Sequence, residues 1–310
     1  MLKEKIYIYS FYRFKNLNNI KHTKNELHRF CNDKLILGTI LIAKEGINGT
    51  VSGPKKDLNL LIVNIKKILK IKKLSLKISK NQFIPFYRLK IRLKKEIVTI
   101  GNKSIRPEKI SGKHIPPKKW DKIINNENYI IIDTRNDYEI DIGSFKNSVN
   151  PNMKSFKNFP KYIKNLNLDK KQPIAMFCTG GIRCEKASSY LIKSGFKDVS
   201  QLDGGILNYL EYKKNKKINT WNGECFVFDN RVSVDKYLNK GSHDQCYGCR
   251  HPITEDDKRL NSYIKGASCK YCIKEKTEEK LNSSFVRQKQ IDLAEERNIK
   301  HSFQKIYTVK

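Results

Sequence analysis

Long apolar runs are missing from this sequence of 310 residues. No stretch approaches the roughly 18 consecutive apolar residues that a membrane-spanning helix needs. The opening residues, MLKEKIYIYSFYRF, have neither the long apolar segment nor the small-residue cleavage site of a secretory signal. These absences exclude the membrane-spanning class and argue against secretion, so we expect a cytoplasmic protein that has no membrane partner.

Acidic residues are also scarce: 31 Asp and Glu stand against 63 Lys and Arg, and the net charge is +32. Such a charge attracts polyanions, including nucleic acids. Arginine, the cation suited to specific contacts with RNA, contributes only 12 of these residues and lysine contributes 51. Because lysine, isoleucine and asparagine share A/T-rich codons, drift in base composition explains the charge equally well. The charge permits a nucleic-acid partner without establishing one, and nothing in the sequence indicates a protein partner.

The length and a hydrophobic content of 38% suit two or three domains of about 150 residues or fewer. Residues 1–99 follow the order β-α-β-β-α-β of a ferredoxin-like α+β domain, although an unrelated small α+β domain also fits. Residues 100–117 are rich in Gly, Pro and Lys and indicate a linker. Residues 118–218 contain continuous apolar strands and an amphipathic helix, which predict an α/β domain with a parallel sheet. Residues 219–310 form a cysteine-rich region that ends in a helix over roughly 284–298.

The most specific chemical signal is a glycine-containing loop between an apolar strand and a helix. A cysteine reacts as its thiolate, and a nearby cation or helix N-terminus lowers the pKa of the thiol. The glycines let backbone N–H groups turn towards an anion, and a guanidinium can hold an oxyanion by two parallel hydrogen bonds. The catalytic candidates are Cys178 and Arg183, and the loop residues between them are Thr179, Gly180, Gly181 and Ile182.

The length of this loop separates two chemistries. Four residues lie between Cys178 and Arg183, whereas phosphatases with a Cys/Arg loop have five, which make room for a phosphate. The shorter loop favours a single substituent on sulfur, such as a persulfide. The alternative is a cysteine that is simply buried in a strand-to-helix turn.

Three other residues are expected to support the loop. Asp133 and Arg135 follow another apolar strand, and α/β folds place their chemistry at the carboxyl ends of parallel strands. Cys184 begins the helix after the loop, where it either packs or acts as an auxiliary thiol.

A second cluster of cysteines has the spacing of a structural zinc site. Two Cys-x-x-Cys pairs, separated by nineteen residues, can supply four thiolates to one tetrahedral ion. A region with little apolar content would gain folding free energy from the metal. The alternative is a set of reduced cysteines or a reversible disulfide, and Cys225 and His251 are spare ligands. The four predicted ligands are Cys246, Cys249, Cys269 and Cys272.

Several blocks of the sequence resemble a known family. The segments IIIDTRNDYEIDIGSFKNSVNP, MFCTGGIRCEKASSYL and QLDGGILNYLE resemble a rhodanese domain, in which Cys178 would be the active-site cysteine. Together with YSFYRF, AKEGINGTVSG, the paired cysteine motifs and FVRQKQIDLAEERNIKH, in this order, the whole chain resembles the bacterial tRNA uridine hydroxylases. The resemblance implies oxygen-dependent formation of 5-hydroxyuridine at the wobble position 34 of tRNA. It implies O2 as co-substrate, tRNA as partner and an essential loop cysteine.

The residues themselves leave the oxygen chemistry open. No flavin or haem motif and no 2-His-1-carboxylate iron site is evident in the sequence. Addition of a cysteine to C6 of uridine would activate C5 towards oxidation. Cys178 would be the reactive centre, either as a thiolate or as a persulfide. Two alternatives remain at this point: a rhodanese-type sulfurtransferase that passes persulfide sulfur to an acceptor, and a non-catalytic RNA-binding protein.

Overall fold

The computed structural model describes residues 6–216 and 220–297. Residues 1–5, 217–219 and 298–310 lie outside the described part, and with them the last residue of the helix expected over 284–298. Within the described part, no helix has both the length and the apolar character that crossing a bilayer requires.

The N-terminal domain is a sheet covered on one face by two helices. Its elements are β1 (Ile6–Phe14), α1 (Ile20–Cys31), β2 (Leu37–Ala43), β3 (Gly46–Gly53), α2 (Lys55–Leu69), β4 (Ser75–Asn81) and β5 (Leu89–Leu93). The strand order is β4-β1-β3-β2-β5, in which β5 runs parallel to β2 and the other pairs are antiparallel. The first four strands have the order expected of a ferredoxin-like domain, which is thereby confirmed.

Helical spacing of apolar residues fixes how α2 packs. Leu58, Leu61, Ile65 and Leu69 all lie on one side of α2 and are buried against the sheet. Aromatic residues of β1 fill the same core, including the buried Tyr9. The helices therefore occupy one face of the sheet, and the other face is left to pack against another part of the chain.

The central domain is a parallel sheet with helices around it. Its elements are β6 (Lys113–Ile115), α3 (Pro117–Ile124), β7 (Ile130–Asp133), α4 (Asp137–Ile140), β8 (Gly143–Phe145), β9 (Ser148–Val149), α5 (Phe159–Asn165), β10 (Ile174–Phe177), α6 (Ile182–Lys193), β11 (Val199–Leu202) and α7 (Gly205–Lys213). The sheet order is β6-β11-β10-β7-β9, and every pair in it is parallel. The predicted α/β fold with a parallel sheet is confirmed.

The linker expected over residues 100–117 differs from the structure. Ile100 and Ile105 are buried in the core of the central domain, and Lys113–Ile115 is the edge strand β6. The prediction failed because isolated apolar residues among Gly, Pro and Lys produce no periodicity that marks them as core. The segment is thus an integral part of the central domain.

The C-terminal region begins as an extension of the central domain. Its elements are β12 (Trp221–Gly223), β13 (Cys225–Phe226), β14 (Ser233–Val234), β15 (Asp244–Gln245), β16 (Pro252–Ile253), α8 (Glu255–Lys258) and α9 (Glu278–Glu296). Strand β12 pairs antiparallel with β8. Trp221 and Cys225 share a core with Phe145 and Phe177 of the central domain.

The free face of the N-terminal sheet packs against α6. The Tyr12 hydroxyl donates to Oε1 of Glu185 over 3.1 Å. The buried Lys186 lies 2.8 Å from Glu45 and 2.6 Å from Glu96, two carboxylates of the N-terminal part. Because α6 begins at the reactive loop, this contact places the N-terminal sheet directly over that loop.

Candidate active site

Cys178 lies at the carboxyl end of β10 and is fully buried. The backbone N–H of Gly181 donates to its sulfur over 3.1 Å. The carbonyl of Cys178 accepts from the N–H of Ile206, and that of Thr179 accepts from Leu207. The loop is therefore held by the start of α7 as well as by its own glycine turn.

Two glycines are required by this geometry. Gly181 has a φ of +97°, a region that favours glycine, and this conformation aims its N–H at the sulfur. Gly205 has a φ of +69°, and a Cβ built there would lie 2.3 Å from the Cys178 carbonyl oxygen. A side chain at Gly205 would thus push α7 away from the loop.

The thiol of Cys178 is poised to ionise. Burial alone would raise its pKa, but a hydrogen bond from Cys184, the positive charge of Arg183 and backbone N–H groups of α6 together lower it well below the usual range. Cys184 shows the opposite shift: burial and the neighbouring Cys178 raise the pKa of its thiol. Cys184 therefore stays a neutral donor and Cys178 becomes the thiolate.

Arg183 does not have the role expected from the loop. Its two terminal nitrogens donate to the buried Glu139 carboxylate over 2.6 and 2.8 Å, so the paired N–H groups are occupied. The expected two-bond grip on an oxyanion is wrong for this reason. The charge of Arg183 still favours the thiolate of Cys178.

Asp133 and Arg135 form a buried ion pair beneath the loop, with a 2.7 Å contact between Arg135 Nη2 and Asp133 Oδ2. Another nitrogen of Arg135 donates to the backbone carbonyl of Glu139 over 3.0 Å. The pair thus positions Glu139, which in turn holds Arg183. Their predicted supporting role remains a prediction, and this chain of contacts is how they would exert it.

Glu139 is a functional residue that sequence reasoning missed. It follows Asn136 in the pattern Asn-x-x-Glu, and its carboxylate accepts from the Asn136 N–H over 3.2 Å. That pattern predicts a helix N-terminus, so it gave no indication of a partner for Arg183, which lies 44 residues further along the chain.

The loop opens into a cavity of about 430 Å³ that three parts of the chain enclose. The N-terminal sheet contributes polar side chains, and the C-terminal region contributes the aromatic Phe228 and a buried arginine. We call this space the active-site cavity; its polar and aromatic lining includes Tyr12, Asn48, Lys77, Cys178, Arg183, Phe228 and Arg231. A volume of this size suits a small ligand or a single nucleotide unit.

Phe228 stands at the edge of the active-site cavity with 59% of its surface exposed. Its ring lies 5.8 Å from the guanidinium carbon of Arg183 and packs edge-on against Phe226. An exposed ring beside a cation offers a flat surface on which a base can stack.

A second cavity of about 610 Å³ shares the lining residues Thr39 and Phe86 with the first, so the two lie side by side. All of its lining residues come from the N-terminal domain or the C-terminal region. We call it the basic groove; its cations are Arg88, Lys90, Arg250, Lys258, Lys265 and Arg287, and its rings include Tyr87 and Tyr247. Burial, followed by the charges of Arg88, Arg92 and Arg250, lowers the pKa of Lys90. Asp244 and Glu295 also line the groove, and Lys258 and Lys265 are paired with Asp244 and Asp292. The excess positive charge next to the active-site cavity therefore comes from Arg88, Lys90, Arg250 and Arg287.

The four cysteines predicted as metal ligands come together in the structure. Their sulfur atoms all lie within 4.8 Å of one another, with Cys249–Cys269 at 3.7 Å and Cys246–Cys272 at 3.9 Å. A tetrahedral ion with bonds of about 2.3 Å to sulfur separates its ligands by about 3.8 Å. The donor set and spacing therefore fit zinc. Cys225 lies apart from this cluster, and burial raises the pKa of its thiol to about 12.

Two family models match parts of this chain. Residues 6–97 match the family described as UPF0176 acylphosphatase like domain, and residues 116–212 match the rhodanese-like domain. Among solved structures, a rhodanese-related protein from Thermoplasma volcanium is 24% identical, covers 32% of this chain and 92% of its own, and gives a TM-score of 0.28. A rhodanese-like domain protein from Staphylococcus aureus is 26% identical, with coverages of 31% and 90% and a TM-score of 0.27.

One relative matches almost the full length. The protein named tRNA uridine(34) hydroxylase from Pelagibacter ubique (strain HTCC1062) is 48% identical over 299 residues, which are 96% of this chain and 98% of the relative. Both domains and the cysteine-rich region fall within that match. The chain belongs to the tRNA uridine(34) hydroxylase family.

Proposed function

We propose that this protein hydroxylates uridine 34 of tRNA at C5, with O2 as co-substrate and Cys178 as the reactive centre. The observation that carries the proposal is the active-site cavity, in which a buried, readily ionised cysteine faces residues from all three parts of the chain. The near full-length identity to a relative of that name supports the same reaction. Acting on tRNA, the protein works in the cytoplasm.

The reaction requires the target base to leave the anticodon stack. A base inside a stacked loop cannot reach a buried thiol, so the nucleotide must be splayed out at a cost of a few kcal/mol. Stacking on the exposed ring of Phe228 and phosphate contacts in the basic groove can offset that cost.

The thiolate of Cys178 supplies the nucleophile. Its addition to C6 of uracil moves electron density to C5, the carbon that is oxidised. One atom of O2 becomes the new hydroxyl, and the other leaves as water after taking two electrons and two protons from an external reductant of the thiol class. Loss of the C5 proton then expels the Cys178 thiolate from C6 and restores the C5–C6 double bond. The charge of Arg183, fixed by Glu139, stabilises the thiolate before attack.

Two other functions use fewer of these features. A rhodanese-type sulfurtransferase needs the loop alone and leaves the walls from the N-terminal sheet and the C-terminal region without a purpose. In a non-catalytic RNA-binding protein the lowered pKa of Cys178 would have no function.

Mass spectrometry of tRNA nucleosides separates the three functions. A bacterial strain that lacks its own uridine 34 hydroxylase is complemented with this chain, and position 34 is analysed. Return of 5-hydroxyuridine supports the proposal. Return of a thiolated nucleoside instead indicates a sulfurtransferase, and no change in any modification indicates the non-catalytic protein.

The basic groove gives a prediction about tRNA affinity. Reversing two of its cations together, Arg88→Glu with Lys90→Glu, should weaken tRNA binding at least tenfold near physiological salt, because two phosphate contacts become repulsive. The slope of log affinity against log salt should fall by about two. The matched control is Lys56→Glu with Lys67→Glu, which reverses two exposed charges on the outer helix α2. Equal losses in both double variants would mean that only the total charge matters.

We also propose that the C-terminal cysteines hold one structural zinc ion. Cys246, Cys249, Cys269 and Cys272 supply the ligands, and the metal would stabilise a region of short strands with a small core. It takes no part in the chemistry at Cys178.

Protein purified without chelator should contain about one zinc per chain by elemental analysis. Cys249→Ser should lower that content sharply, and a chelator should lower the melting temperature of the wild-type chain. Cys31→Ala is the control, since Cys31 is buried in the N-terminal core away from the cluster. Wild-type protein without any metal would contradict the zinc proposal and leave the proposed hydroxylation untouched.

A further inference from the structure

One lysine that lines the active-site cavity stands out because its charged end is buried. Lys77 belongs to β4 and lines the cavity together with Cys178. Its ammonium nitrogen is shut off from solvent, and among the described residues it makes no hydrogen bond. The glycine turn before α7 approaches it closely: a Cβ built on Gly204 would lie 2.8 Å from this nitrogen.

An isolated buried cation is costly, so a sequence that folds with one usually reserves it for a ligand. The charged and titratable groups that act on Lys77 are Cys178, Asp203 and Cys225. Burial lowers the pKa of Lys77 to about 8, and the thiolate of Cys178 opposes that shift. At neutral pH the side chain is therefore mostly an ammonium, with three N–H donors and no acceptor.

The depth of Lys77 in the cavity determines which part of a base it meets. In uracil the ribose is attached to N1, and the carbonyl carbon C4, which carries O4, lies directly across the ring from N1. The other carbonyl, at C2, is bonded to N1 and lies beside the ribose. Because the ribose and its phosphates must enter from the open mouth of the cavity, a group whose nitrogen is shut off from solvent is near the C4 edge.

We propose that Lys77 selects uracil by donating a hydrogen bond from its ammonium group to O4. This inference rests on the proposed function, since it takes uridine as the substrate. Cytosine carries an amino group in place of O4, and that group is a donor. Two donors would then face each other in a buried site, which leaves the ammonium unpaired and rejects cytosine. The same bond holds negative charge on O4 when the thiolate adds to C6.

The test compares two short RNAs, an anticodon stem-loop with uridine at position 34 and one with cytidine there. Binding to the full chain is measured without O2, so that no turnover occurs, at about physiological salt. The wild-type chain should prefer the uridine stem-loop at least tenfold. In Lys77→Met the ratio of the two affinities should fall to near one, with most of the loss on uridine.

Lys80→Met is the matched control, because Lys80 lies on the same strand with an exposed side chain. It should keep the wild-type ratio. Lys77→Met is expected to fold, since removing an unpaired buried charge is often neutral for stability. Equal melting temperatures of the variant and the wild-type chain check this expectation. If Lys77→Met does not fold, Lys77→Gln takes its place.

A different role for Lys77 predicts a different result. If the lysine serves only as a counter-charge for the thiolate, Lys77→Met should slow alkylation of Cys178 at neutral pH and keep the preference for uridine. That result would overturn the inference. Failure of the wild-type chain to restore 5-hydroxyuridine would instead remove the proposed function, and the affinity ratio would be judged separately.

Discussion

Replacing Cys178 with serine should abolish formation of 5-hydroxyuridine and leave the melting temperature almost unchanged. The substitution exchanges one atom and keeps the loop glycines, and the N–H of Gly181 can donate to the new oxygen as it does to sulfur. A serine hydroxyl does not ionise at neutral pH, so the nucleophile is lost. Complementation followed by nucleoside analysis measures the loss.

The pH dependence of alkylation supplies a second readout of the same centre. Because the pKa of Cys178 is lowered in the folded protein, its thiolate persists as the pH falls below the range where ordinary thiols are protonated. Alkylation of Cys178, opened to reagent by local motion, should therefore continue at pH values where an unshifted thiol is inert. Cys31→Ser is the control for activity. Burial raises the pKa of the Cys31 thiol to about 12, so this thiol is not a nucleophile at neutral pH and the variant should retain hydroxylation. Full activity in Cys178→Ser would rule out the thiolate mechanism.

The reactive loop could be read from the sequence because its signals are local. A cysteine, two glycines and an arginine within six residues, between a strand and a helix, predict both a shape and a chemistry. The packing of α2 on the N-terminal sheet could be predicted as well, since periodic apolar residues such as Leu58, Leu61 and Ile65 mark the buried face of that helix.

The rest of the site depends on contacts between distant residues. Lys77 and Phe228 reach the cavity from separate parts of the chain, 101 and 50 residues from Cys178. Lys77 and Lys80 carry the same charge, and the alternation of β4 places them on opposite faces without showing which of the two is buried. What distinguishes them is burial in a cavity that exists only when the N-terminal sheet and the central domain are packed together.

The partner of Arg183 could not be predicted for a similar reason. A guanidinium in an anion-binding loop is chemically suited to an oxyanion and to a carboxylate alike. The choice is settled by Glu139, which the short helix α4 carries into the loop from the neighbouring strand. The guanidinium beside Cys178 is therefore held in place by an ion pair. Its effect on the thiolate depends on the carboxylate of Glu139, which bonds to Arg183 and not to the sulfur.

Removing that carboxylate should give the largest loss of stability in the site. Glu139→Ala leaves the buried Arg183 without its partner, and breaking a buried pair in this way typically costs about 3–5 kcal/mol of unfolding free energy. Denaturant unfolding of the full chain measures the change. Hydroxylation should fall as well, because a released guanidinium no longer holds its place beside Cys178.

The loss of stability in Glu139→Ala should depend on Arg183, because the unpaired charge of that arginine causes it. In the double variant Glu139→Ala with Arg183→Met no unpaired charge remains, so stability should recover by at least half of the amount that Glu139→Ala removed. Hydroxylation should stay low, since the cation that favours the thiolate is gone. Glu26→Ala is the control: its pair with Arg29 lies on the surface, where such contacts contribute less than about 1 kcal/mol. Additive losses in the double variant would show that Glu139 stabilises the loop by packing or backbone contacts, and not by neutralising Arg183.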